Sequence, residues 1–320
     1  MINAVRNTVL AILNKNNYGY ISPADFNLFA KQAQLDIFDE YFLSYNSQIN
    51  KENARVSGEG YADMVKNIEE VIDSFSVTAS LSRSSLNTYI VPTSSTTGSD
   101  YYLLNKILIY KSVVTSGITS GTGGGNTALI DSSATFVTKG VAEGDVVSVI
   151  VSNNVVSNFV VLSVDSETQL TVNSATLTTT GLQYSIYKKA DLKNEAEQVS
   201  HTKITMLNKS LLTTPNITFP AYTLEGNLLT LYPDTIQDTG RVVCQYIRYP
   251  KDPKWTYVSL TGGEPIFDQS QPDYQDFELP PDDVNNLVAR ILQYSGASIR
   301  EVQAVQFGQV IEKQEQTEDQ

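Results

Sequence analysis

The spacing of apolar residues changes twice along this chain, from helical to strand-like and back to helical, and that order limits the folds open to it. Ile2, Val5, Val9, Ile12 and Leu13 recur at helical intervals until Asn16, Asn17 and Gly19 interrupt them. A second helix restarts with Ser22 as cap, Pro23 in the first turn and Asp25 where the helix dipole favours negative charge. Phe26, Phe29, Ala30, Ala33, Ile37, Phe38 and Tyr41 form its apolar face. Tyr61, Met64, Val65, Ile68, Val71, Ile72 and Phe75 predict a third helix, so residues 1–76 read as a helical bundle.

From Val77 the texture turns to Ser, Thr, Val and Tyr, with Tyr89–Pro92 and Tyr101–Tyr110 as candidate strands. Further strands are expected at 134–137, 146–151, 159–164, 169–172 and 184–187, separated by turn signals such as Glu143-Gly144-Asp145 and Asp165-Ser166-Glu167. Their even spacing predicts a small antiparallel barrel or sandwich over 113–187, inserted into a β-sandwich-like body made of 77–112 and 188–280. Within that body, Leu192, Ala196, Val199, Ile204 and Leu207 suggest a helix over 191–212. Glu225-Gly226-Asn227 predicts a hairpin turn, Arg241 to Tyr249 a strand, and Pro250 to Pro281 a long ordered arm. Val284, Leu287, Val288, Ile291 and Leu292 open a C-terminal helical section, 281–320, with a stop at Gly296. Ile299, Val302, Val305 and Val310 then suggest another amphipathic helix. The fold class is α+β.

Reactive chemistry is sparse. One cysteine and one histidine exclude a disulfide framework, a multi-cysteine zinc site and a His-rich metal centre. Cys244, in Val242-Val243-Cys244-Gln245-Tyr246, reads as a buried strand residue, and His201 as a surface or helix-end residue. The run Ser120 to Asn126 lacks the final glycine of a dinucleotide loop and the Lys-Ser/Thr of a phosphate loop, so it reads as a hinge or hairpin tip. Asp36, Asp39 and Glu40 fit a solvated helix face. Asp273, Asp276 and Glu278 fit a polar loop more simply than a paired-carboxylate hydrolase. No catalytic, metal-binding or cofactor-binding residue is assigned, and no cofactor is expected. With 35 Asp and Glu against 22 Lys and Arg, a net charge of -13, the chain is poorly suited to gripping phosphates over a broad face. It shows neither a signal-peptide pattern at its start nor an apolar run near the ~20 residues of a membrane helix, so synthesis in the cytoplasm is expected.

The most unusual local string is Tyr246-Ile247-Arg248-Tyr249-Pro250-Lys251-Asp252-Pro253-Lys254-Trp255, which sets three cations beside aromatics on a proline-stiffened backbone. Two readings stand: a contact for an acidic partner or a phosphate backbone, or a strand exit with Trp255 folded onto the body.

Three strings, Leu13 through Phe38, Tyr246 to Trp255 and Phe277 through Glu301, together resemble ring or head-to-tail connector proteins of crAss-like and related short-tailed phages. The resemblance covers both ends, while the β-rich middle matches only as a variable insertion. It implies a virion neck protein, made in the bacterial cytoplasm, that forms a ring of identical subunits, commonly twelve. Such a ring is stacked under the portal among other connector or tail proteins. Genomic DNA passes through the lumen without sequence-specific binding, and an acidic wall would repel it during ejection. Exposed strand edges and the proline-rich arm would add to neighbouring sheets, and the C-terminal helices would join the bundle or dock on the next ring. Expected partner contacts are Arg248, Lys251, Lys254, Trp255, Ile299, Val302, Val305 and Val310. The alternatives are a receptor-binding or decoration protein using the β insertion, favoured by exposed aromatic patches there, and a virion glycan hydrolase built on the loop carboxylates.

Overall fold

The computed structural model describes the chain apart from residues 14–20, 55–61, 95–99, 123–126, 152–154, 175–176, 178, 190–192, 260–264 and 300–320. The fold is α+β and divides into two compact units, one of Met1–Phe75 with Tyr249–Gln320 and one of Ser76–Arg248. Residues 249–280, expected in the β-rich body, thus belong with the helices.

In the helical unit, α1 (Ile2–Leu13) buries Ile2, Val5, Val9 and Leu13 along one stripe. The start of α2 (Pro23–Ala54) is capped as its sequence dictates: the Ser22 hydroxyl oxygen accepts from the Asp25 N–H at 3.1 Å and donates to the Asp25 carboxylate at 2.6 Å. Phe26, Ala30, Ala33, Ile37 and Phe38 form its buried face. Phe38 meets Phe75, which follows α3 (Ala62–Ser74), edge to face at 5.1 Å. A short 3-10 turn, Pro281–Asp283, leads into the last described helix, Val284–Ile299, which packs on α1 and α2 through Leu287, Val288, Ile291 and Leu292. This helix runs through Gly296, where a stop is expected. One helical glycine costs only about 1 kcal/mol, less than a packed face returns. The proline-rich arm contains a hairpin, β16 (Tyr257–Ser259) with β17 (Pro265–Phe267).

The β-rich unit holds two sheets, and each closes on a single bent strand. Strands β1 (Ser76–Ser80) and β2 (Ser82–Ser85) are separated by Leu81 alone. The first pairs with β15 (Val242–Arg248) and the second with β3 (Thr88–Ile90). At the bend Leu81 is buried and donates its N–H to the Val242 carbonyl at 2.9 Å. The circuit runs through β4 (Tyr101–Tyr110), β12 (Lys193–Gln198), β13 (Ala221–Glu225) and β14 (Leu228–Tyr232), giving the order β1-β15-β4-β12-β13-β14-β3-β2. The sandwich-like body is therefore a barrel-like sheet around Tyr89, Ile107, Ile109, Leu229, Leu231, Cys244 and Tyr246. Burial pushes the Cys244 thiol up to about 12.

The inserted sheet repeats the device between β4 and β12. Strands β5 (Thr115–Ile118) and β6 (Gly121–Thr122) pair with β11 (Gln183–Tyr187) and β7 (Ala128–Ile130), with β8 (Val146–Ile150), β9 (Val156–Val164) and β10 (Gln169–Val172) between. The bonding changes partner at the bend, where Thr119 N–H donates to Leu182 and Ser120 N–H to Ile130. Closure removes sheet edges, so the open edges expected to recruit neighbouring sheets are largely absent from the two large sheets. The glycine run falls at the β6–β7 hairpin, whose tip lies outside the described residues.

Two other segments depart from expectation. Residues 193–198 are strand, and among the described residues of 191–212, which leave out Leu192, only His201–Leu207 is helical (α4), capped by Ser200 accepting from the Lys203 N–H. Strand β12 has just one buried side chain, Ala196, and exists because its backbone pairs with β4 and β13. Residues 134–137 are not strand: 134–135 are irregular and a turn begins at Phe136, whose ring enters the insertion core. The predicted hairpin at Glu225-Gly226-Asn227 is present, with Gly226 at φ 57°.

Inside the insertion, buried Asp131 accepts from the Ser133 N–H at 2.9 Å, the Ser133 hydroxyl at 2.6 Å and the Tyr184 hydroxyl at 2.7 Å. Desolvation opposes its charge, but these bonds prevail and hold the carboxyl below its ordinary range. Tyr184→Phe is therefore expected to cost about 1–3 kcal/mol at neutral pH. The folded pKa of Asp131 lies below the unfolded one, so its contribution is complete above the ordinary carboxylate range and is lost as pH falls through the folded value. The gap between wild type and Tyr184→Phe in urea unfolding should shrink as the solution is acidified; a constant gap would contradict this account.

Candidate partner-contact surfaces

The string from Tyr246 to Trp255 is split by the structure. Arg248 ends β15 in the β-rich unit, whereas Lys251, Lys254 and Trp255 lie in the helical unit. Extended backbone sends alternate side chains to opposite sides. Pro253 and Trp255 consequently point inward while Lys254 points outward, fixed by paired backbone bonds between Lys254 and Gln275.

Trp255 is only 2% exposed. Its ring stacks on Tyr257 and Phe267 at 5.6 and 5.9 Å, and the Arg6 guanidinium sits 3.8 Å from its centroid. Its indole N–H donates to Asn3 Oδ1 at 3.0 Å, and its backbone N–H to Asn27 Oδ1 at 2.8 Å. This is the folded-in alternative, realised on the helices, so the indole is closed to a partner while the unit stays packed. Lys254 forms an ion pair with Asp273 at 2.5 Å, and Lys251 keeps an exposed side chain. Of the remaining expected contacts, Ile299 ends the last described helix, and Val302, Val305 and Val310 lie outside the described residues.

The loop carboxylates are engaged in holding the unit together. Lys254 holds Asp273 below the ordinary carboxylate range. Asp276 receives the Met1 amine and the Ile2 N–H, both at 2.7 Å, and so closes the first turn of α1. Burial works against its charge, but these donors keep its carboxyl low. Glu278 accepts from the Lys251 N–H at 2.8 Å. The acidic face of α2 is likewise bonded to the last helix, where Asp36 accepts from the Tyr294 hydroxyl and Glu40 from Arg290, while Tyr41 donates to Asp283 in the 3-10 turn before it. Burial and the bond to Asp36 push the Tyr294 hydroxyl up to about 12. Among the described residues no group of three or more His, Cys, Asp or Glu side chains could hold a metal ion. No described helix is long and apolar enough to cross a membrane.

Two features escape the sequence reading. One is charge segregation: the helical unit carries twenty-three Asp and Glu against eleven Lys and Arg, net −12, and the β-rich unit twelve against eleven, net −1. The other is the segment after α4, where Leu211 and Leu212 are 100% and 96% exposed. A double leucine in a non-periodic stretch of Ser, Thr, Asn and Pro was the available signal. No family model matches the chain, and no curated protein matches it.

Proposed function

We propose that this chain is a non-enzymatic virion structural protein that assembles into a ring of the head-to-tail connector, linking capsid to tail below the portal and surrounding the DNA channel. One observation carries the reading: the separate strings on which the connector resemblance rests supply one contact network. Asn27 brackets the Trp255 backbone at 2.8 and 3.3 Å, Gln34 donates to the Lys251 carbonyl at 2.8 Å and accepts from the Glu278 N–H at 3.1 Å, and Lys31 pairs with Asp252 at 2.7 Å. Strings that are distant in sequence yet packed together are what a shared scaffold requires. The use of Asp273, Asp276 and Glu278 as structural partners supports a non-catalytic role. The net charge of −12 on the helical unit suits a wall that DNA slides past.

A glycan-binding role for the insertion gains little support, because the large apolar side chains exposed on it, Ile118, Val137, Val160 and Leu162, are aliphatic. The test is native mass measurement and electron microscopy of the purified chain, alone and with the portal protein. Closed rings with masses in multiples of 35.2 kDa are expected. A monomer at every concentration, indifferent to the portal, would overturn the proposal.

A further inference from the structure

The segment between α4 and β13 is ordered from beneath and apolar on top. Pro215 and Pro220 are buried, and Ile204, Val199 and Ala221 pack together below. Thr214 N–H donates to Ser210 O at 2.9 Å, and Asn216 Oδ1 accepts from the Thr218 and Phe219 N–H groups at 2.9 and 3.0 Å. Asn194 Nδ2 reaches across to the Ile217 carbonyl at 2.6 Å. Leu211, Leu212, Met206 and Phe219 nevertheless stand in water. A loop held by this many bonds presents its leucines in a fixed arrangement, unlike a collapsed or fraying connection. The loop itself is cationic: no Asp or Glu lies between Glu197 and Glu225, Lys203 on α4 is paired with Glu197 at 3.1 Å, and Lys209 is the charge carried by the loop.

The complement is found on the same chain. Along α2, positions 25, 28, 32, 39 and 43 fall on one helical stripe, and Asp25, Leu28, Gln32, Asp39 and Leu43 are all exposed there. The stripe carries two leucines and two carboxylates, with Gln32 between them, in the unit that carries net −12. Asp39 is pushed above its ordinary range by burial and by neighbouring Asp36, a strain that an approaching cation relieves.

We infer that the 208–219 loop is a docking knob that seats on the leucine and carboxylate stripe of α2 in a neighbouring copy of this chain, with Leu211 and Leu212 as apolar anchors and Lys209 facing Asp39 or Asp25. The inference rests on the ring assembly proposed above and names the surfaces that build it. Knob and stripe are different surfaces, so the contact is head-to-tail and can repeat around a closed ring. Anchors at the centre of an interface carry most of its affinity.

The test compares self-association of the full chain with Leu211→Ser/Leu212→Ser, Lys209→Glu, and Lys209→Glu combined with Asp39→Lys, by sedimentation and native mass measurement. The double serine variant should raise the concentration for half-assembly by at least about tenfold with an unchanged melting temperature, since both side chains are already in water. Lys209→Glu should weaken assembly and the added Asp39→Lys should restore it. Rings that form at wild-type concentrations in the double serine variant would overturn the knob and leave the ring standing, even if that variant had lost affinity for portal protein or lipid vesicles. A wild-type chain that stays monomeric with and without portal would overturn the ring itself.

Discussion

Replacing Trp255 with alanine is expected to destabilise the helical unit by about 3–5 kcal/mol, a large share of the roughly 5–15 kcal/mol that holds a typical domain together. The substitution removes more than a buried ring. Arg6 loses the π face beneath its guanidinium, Asn3 loses the indole donor, and Tyr257 and Phe267 lose the surface they stack on. Trp255→Phe keeps a ring in place and forfeits chiefly the Asn3 bond and some area, so about 1–2 kcal/mol is expected. Thermal unfolding followed by far-ultraviolet circular dichroism checks both. Trp255 is the only tryptophan, so its emission in the wild type reports on the helical unit alone. A Trp255→Ala chain whose helical signal melts with the wild type would remove this residue from the centre of the account.

Gly240→Ala is expected to cost about 2–5 kcal/mol in the β-rich unit, from two independent causes. Gly240 lies at φ 69°, where an L-residue costs about 1–3 kcal/mol. An added Cβ would also stand 2.1 Å from Ser148 Cβ and 2.3 Å from its Oγ, and Ser148 is fully buried in β8. Ser148 cannot retreat easily, because its hydroxyl donates to Asn158 at 2.7 Å and Asn158 in turn donates to Ser80 of β1 at 2.8 Å. This chain of bonds, with the Tyr110 and Tyr187 rings stacked at 4.4 Å, joins the insertion to the barrel that carries it. Gly226→Ala isolates the backbone term: φ is 57° but nothing lies within 4 Å of the new Cβ, so only about 1 kcal/mol is expected. Equal losses in urea unfolding of the two variants would show that the Ser148 contact is soft and the joint loosely packed.

The described helices of the helical unit were legible because their signals are local. Ser22, Pro23 and Asp25 set the start of α2 through bonds spanning three residues, and the stripes of α1 and the last helix needed only their own periodicity. Strand β12 was not legible: Lys, Glu and Gln with one buried Ala show no alternation, and the segment is strand because β4 and β13 offer partners on both sides. Phe136 misled in the opposite direction, since its apolar neighbours suggested a strand where a turn delivers one ring to the core. Closure of the body sheet, expected as a sandwich, was hidden, because one bent strand pairing with two distant partners has no signature beyond an ordinary apolar Leu81; for the insertion a barrel was already one of the two expectations.

Of the candidate site, composition already excluded multi-cysteine and histidine-rich metal centres, and the string from Tyr246 to Trp255 stood out by its prolines and cations. Sequence alone determined the first three helices, the cap at Ser22, the apolar stripe of the last described helix, the turn at Gly226 and the acidic balance, because each depends on residues a few positions apart or on a count. Only the tertiary structure decided that Trp255 faces inward, that Asp276 closes α1, that Lys254 is matched by Asp273, and that Leu211 and Leu212 stay in water. Burial and hydrogen-bond pairing are properties of what lies opposite a side chain, and in this protein the opposite group is often more than two hundred residues away, as Asn27 is from Trp255.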